Sequence, residues 1–144
     1  MSRGERGVVP SRNDPAAYAC VRSLARHDLS PLVATDHDAE PAAASRYCDE
    51  VATVPSPTTD LLAYRDALVG LAARPDVRTV LPVRQHDAYL LSKYRDRFEQ
   101  YVSLAVPSFE RLRTVHDRLR LFEIAAAADV PVPETRPLAA VDDV

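Results

Sequence analysis

Residues 79–87 read TVLPVRQHD. Thr79 to Val83 is an apolar run without polar alternation, the pattern of a strand covered on both faces, as in a parallel sheet. Arg84-Gln85-His86-Asp87 follows at the carboxyl end of that strand, and an amphipathic helix with Leu91, Tyr94, Phe98 and Tyr101 in register comes next. A strand, a short charged loop and a helix form half of a βαβ unit, so the neighbouring segments decide whether the unit repeats.

The unit does repeat. Upstream, Gly7-Val8-Val9 reads as a first strand, and Asn13-Asp14-Pro15 opens a helix with Asp14 as N-cap and Pro15 at its first position. Leu32-Val33-Ala34 is a second strand, Glu40 to Ala44 a helical turn, and Val51–Val54 a third strand. Thr59 or Asp60 caps a helix whose stripe is Leu61, Tyr64, Leu68 and Leu71. Downstream, Val102 to Val106 reads as a last strand, and Ser108 to Arg113 as a helical connector. Short strands alternating with helices predict an α/β fold: a Rossmann-like, doubly wound parallel sheet over residues 1–113, followed by a linker segment over 114–144.

That segment carries TVHDRLRLFEIAAAADVPVPET at 114–135. It reads as one helix, with Thr114 as N-cap and Asp117 at the capping-box position. Val115, Leu119, Phe122 and Ala126 form one apolar stripe, and Leu121, Ala125 and Ala128 a second beside it. Pro131 and Pro133 force an extended exit. Asp117-Arg118, the apolar helix and Val130-Pro131-Val132-Pro133-Glu134-Thr135 together resemble the lead-in to the ATP-grasp domain of carboxylate–amine ligases and carbamoyl-phosphate-synthase-like proteins. The usual pattern there is Asp-Lys at the helix start and Gly-Val-Pro-x-Pro-x-Thr after it; this sequence has arginine at 118 and aspartate at 129. Ser45-Arg46-Tyr47 before an acidic pair also resembles the N-terminal domain of those ligases.

The resemblance implies a pre-ATP-grasp domain that supplies a wall of the substrate cleft and docks the ATP-grasp lobe through the 115–128 helix. The lobe itself would begin near Val144. By the same resemblance, the full enzyme uses ATP and magnesium to activate a small-molecule carboxylate and join it to an amine. This chain alone would hold no cofactor and would neither hydrolyse ATP nor ligate. The alternative is a stand-alone binding or regulatory module that associates with a partner ligase or with a second copy of itself. A weaker third reading is a flavodoxin-like binder of a small ligand.

Ligands of open parallel sheets gather beyond the carboxyl ends of the strands. That rule nominates the loops Pro10–Asp14, Asp36–Asp38 and Arg84–Asp87. Arg84, His86 and Asp87 are the candidate substrate residues, Arg84 being suited to a carboxylate, with a surface loop of mixed charge as the competing reading. Arg46 is a further substrate candidate, set against a local salt bridge with Tyr47 packed under the sheet. Arg118 is the candidate cofactor residue, since the resemblance places a phosphate-binding lysine there; pairing with Asp117, Glu123 or solvent is its alternative. Asp36 follows the second strand, where a ribose-binding acid stands in dinucleotide folds, but without the glycine fingerprint it reads as a loop cap.

Composition narrows the rest. Of 144 residues, 47% are hydrophobic and the formal net charge is −3, which leaves no basic footprint for nucleic acid and no basic helix for a membrane surface. Only Gly4, Gly7 and Gly70 occur, so neither GxGxxG nor a Walker loop can be written. All four histidines precede an aspartate, but no HxxxH or HExxH spacing occurs, so no metal site is expected. Cys20 and Cys48 stand apart and read as reduced thiols. Without an apolar N-terminal core or a spanning run, the expected setting is cytoplasmic.

Overall fold

A computed structural model describes residues 4–136 and divides the chain between Val106 and Pro107 into two compact units. The first unit is an α/β domain on a four-stranded, all-parallel sheet in the order β3-β2-β1-β4, compatible with a Rossmann-like arrangement. β1 (Arg6–Ser11) is buried along its whole length. β2 (Ser30–Thr35) flanks it on one side and carries β3 (Glu50–Thr53) beyond; β4 (Val77–Val80) flanks it on the other.

The two-residue period of the strands explains the layers. Val8, Leu32 and Ala34 point into one cluster, with Tyr64, Leu68, Leu91 and Phe98. Val9 and Val33, one residue out of phase, point into the other, with Ala17, Val21 and Ala42. The residues therefore place α1 (Pro15–Arg26) on one face, and α2 (Leu61–Ala72), α3 (Gln85–Lys93) and the single turn α4 (Arg95–Phe98) on the opposite face. Both central strands read as continuous apolar runs because both of their faces are covered.

Asp14 and Asp60 are the N-caps of α1 and α2, each accepting backbone N–H groups of the first turn. Asp28 closes α1 in the left-handed region (φ 61°), where glycine is commoner. Gly7 has a packing reason: a Cβ there would lie 2.8 Å from Leu24 Cδ1 on α1. Since the end of a leucine can rotate away, Gly7→Ala is expected to cost only about 1 kcal/mol in urea unfolding, with a β-branched residue costing more.

Three sequence expectations are corrected. The strand expected at 102–106 is reduced to one parallel bridge, Thr79 with Ser103. Val102 N–H still bonds back to Phe98, and Arg95 grips the Val106 carbonyl, so little chain is free to run beside β4. The helix expected to run through Leu91, Tyr94, Phe98 and Tyr101 breaks at Tyr94 (φ −108°, ψ 27°), and Tyr101 is exposed. The strand expected at 79–83 lies two residues earlier and ends at Val80, because Pro82 has no N–H for the ladder.

A fourth correction lies in the second unit. The single helix expected from Thr114 is two helices, α5 (Phe109–His116) and α6 (Arg118–Ala127). Thr114 is not a cap: it sits inside α5, its hydroxyl donating to the Glu110 carbonyl at 3.0 Å. The chain turns extended at Asp117 (φ −85°, ψ 103°), whose carboxylate accepts the Leu119 and Arg120 N–H groups and starts α6. Asp117 is a strong capping residue inside an apolar run, and its side chain begins a second helix in place of completing the first turn of one. Asp129 (φ 56°) ends α6 in the left-handed conformation, and Val130 N–H reaches back to Ala125.

Candidate functional site

The chain adds strands outward from β1 to β2 to β3, then returns to place β4 on the other side of β1. The order reverses between β1 and β4, so the loops leaving those two strands diverge toward opposite faces. A crevice opens at such a switch point, outside the carboxyl ends of the strands. By that rule it falls here between residues 11–14 and 81–87.

On the β4 side, Arg84 is the N-cap of α3 and forms a capping box with Asp87. Asp87 is fully buried and saturated: Oδ2 accepts the Arg84 N–H at 2.9 Å and Nε at 3.1 Å, while Oδ1 accepts the Tyr64 hydroxyl at 2.6 Å. Arg84 Nη2 donates to Tyr64 at 2.9 Å and to Asp87 Oδ1 at 3.3 Å. Asp87 thus orients Arg84 and has both oxygens engaged, while among the described residues Arg84 bonds through Nε and Nη2. Burial, seconded by the Asp87 charge, pushes the Tyr64 phenol well above its ordinary range, so it stays a neutral donor. His86 stands edge-on to the Tyr64 ring. Burial lowers its basicity, and its Nε2, 3.5 Å from Asp87 Oδ1, is buried without a hydrogen bond. A buried, unpaired ring nitrogen beside the oriented guanidinium is the polar atom of this loop most in need of a partner.

On the β1 side, Arg12 Nη1 donates to Asp36 at 3.0 Å and to the Ser56 hydroxyl at 3.3 Å. Burial would raise the Asp36 carboxyl, but Ser56, Arg12 and Arg84 outweigh it and hold it below its usual value. Arg12, Asp36, Ser56, Arg84 and His86 thus come from the ends of all four strands. Asp36 is a partner of Arg12 and not a free ribose acceptor. Arg12 lies in the nominated loop Pro10–Asp14 without having been singled out there; Ser56, after β3, lies in a loop that was not nominated, although the same rule applies to it.

Arg46 is not brought to this crevice. It lies with Tyr47 beside Ser30 and Pro31, at the amino end of β2, where it stacks on the Tyr47 ring at 4.8 Å and donates to its hydroxyl at 2.7 Å. Arg118 is the first residue of α6, exposed, in the second unit. No helix among the described residues is long and apolar enough to cross a membrane. No protein-family model matches this chain, and no curated protein is significantly similar to it.

Proposed function

We propose that this chain is the amino-terminal, substrate-side domain of an ATP-dependent carboxylate–amine ligase of the ATP-grasp type. The observation that carries the reading is α6. Leu119, Leu121, Phe122, Ile124 and a run of alanines make it apolar, yet no residue of it is buried, and Leu119 and Ile124 are more than 40% exposed. A helix of that composition needs a cover, and the ligase reading supplies one in the ATP-grasp lobe. Leu119, Phe122 and Ala126 also line an open groove of about 490 Å³ with Val132 and Pro133, the segment that carries the resemblance. The crevice at the switch point, with Arg84 held ready by Asp87, suits the carboxylate of a small substrate. ATP and magnesium belong to the other lobe in this reading, with Arg118 at its border.

Titration of the isolated chain with ATP and magnesium is the test, and no heat of binding is expected at micromolar protein. Micromolar affinity would contradict the proposal. The coding sequence downstream of residue 144 is the companion observation: an ATP-grasp domain there supports it. A stable dimer by light scattering that a Leu119→Glu, Ile124→Glu double variant dissociates would favour a self-associating module instead.

A further inference from the structure

The turn that follows the first strand of a parallel sheet is where nucleotide-binding folds seat a phosphate, on the N–H groups of the turn and of the helix after it. In this chain that seat is already filled, and by carboxylates. Glu40, only 2% exposed, reaches over from the turn after β2. Its Oε1 accepts the Ser11 hydroxyl at 2.8 Å and the Ala42 N–H at 3.1 Å, and its Oε2 accepts the Asn13 N–H at 2.5 Å. Asn13 takes the left-handed conformation (φ 57°). The next seat, the N–H of Ala16 in the first turn of α1, is taken by Asp14 at 2.8 Å. Across the crevice Asp87 does the same at the start of α3, accepting the Arg84 N–H. Arg12, the cation of the turn, is drawn off to Asp36 and Ser56.

We infer that Glu40 is a specificity-determining residue: it stands in for a ligand phosphate at the carboxyl end of β1 and so restricts the crevice to ligands that carry none at that place. A phosphate arriving there would have to displace three hydrogen bonds and face two carboxylates at close range. The absence of glycine between Ser11 and Asp14 agrees, since no close backbone approach is needed when the anion is a side chain. The inference stands whether or not the ligase reading does.

The test follows the Asn13 and Ala42 amide resonances of the full chain in titrations with inorganic phosphate and with formate. In the wild-type protein neither resonance is expected to move saturably. In Glu40→Ala both should, with millimolar affinity, and the melting temperature should climb with anion concentration. Asp38→Ala, which removes an exposed charge nearby, should show no such response. Should Glu40→Ala be too unstable for spectra, its refolding yield against formate is the readout, and recovery is expected. Saturable phosphate shifts in the wild type, or a Glu40→Ala chain indifferent to both anions, would overturn the inference.

Discussion

Asp87→Ala is expected to lower the unfolding free energy by about 3–5 kcal/mol, the cost of leaving a buried charge without its partner. The charge is Arg84, whose side chain is only 13% exposed. Asp87 meets it through Nε and Nη2 and takes the Tyr64 hydroxyl as well. Truncation leaves the guanidinium without its counter-charge and the phenol without the acceptor of its proton, with only the Arg84–Tyr64 bond remaining, and removes the acceptor that completes the capping box of α3. Asp87→Asn should cost less, because its oxygen can still accept, and Tyr64→Phe should cost only about 1–2 kcal/mol. Urea unfolding of the three variants gives the ranking. If Asp87→Ala proves no worse than Tyr64→Phe, Asp87 is not what holds Arg84, and the pre-oriented guanidinium of the proposed site loses its basis.

Arg6→Met should cost about 3 kcal/mol and also change how stability depends on pH. Arg6 is a charged residue in the central strand, and its side chain is 6% exposed. It binds Asp49 at 2.5 Å and Asp76 at 2.8 Å, with Glu50 at 3.4 Å. Arg74 completes the group with two bonds to Glu50, at 2.6 and 3.0 Å, and contacts to Asp76. The group ties edge strand β3 and the α2–β4 turn to β1 at the amino end of the sheet. Hydrogen bonds from Arg74 chiefly, then the charge of Arg6, hold the Glu50 carboxyl below its ordinary value; Arg74 and then Arg6 do the same for Asp76. A carboxyl lowered by folding contributes stability that is complete above its unfolded value, about 4.3 for Glu and 3.9 for Asp. That contribution drains away as the pH falls through the lower, folded value. Wild-type stability should therefore decline below about pH 4.5. Arg74→Met should flatten that decline most, because Arg74 is the larger cause for both acids. Arg6→Met should cost more at pH 7, because Arg6 is the more buried. Urea midpoints between pH 3 and pH 7 separate the two effects; parallel curves for all three proteins would remove the network from the account.

Periodicity made the α/β character legible from residues alone. Val8-Val9 and Leu32-Val33-Ala34 are apolar at every position, which only a two-sided burial explains, and the parallel sheet bears this out. Asp14-Pro15 and Asp60 marked helix starts because capping is local chemistry. Arg84 was found because a loop after a strand in such a fold lies at the carboxyl end by construction. What escaped has a common cause. Tyr94 and Asp117 break helices whose apolar spacing continues across the break, so the pattern could not register them. Glu40 gives no local sign of being buried; it is one acid in an alanine-rich turn, and its partners Ser11 and Asn13, at the end of β1 and in the turn after it, are 27 residues or more away.

By itself, then, the order of residues determined the alternation of strands and helices through β4, which faces are apolar, and which loops share one end of the sheet. These properties depend on neighbours within a turn or two of chain. The tertiary structure alone decided strand order, and with it the reversal between β1 and β4 that opens the crevice. It also decided which charges are already answered: Asp36 by Arg12, Asp87 by Arg84, and the seat after β1 by Glu40. A carboxylate's role rests on what lies within about 3 Å of it, and that distance is set by chain segments that meet only when the sheet forms.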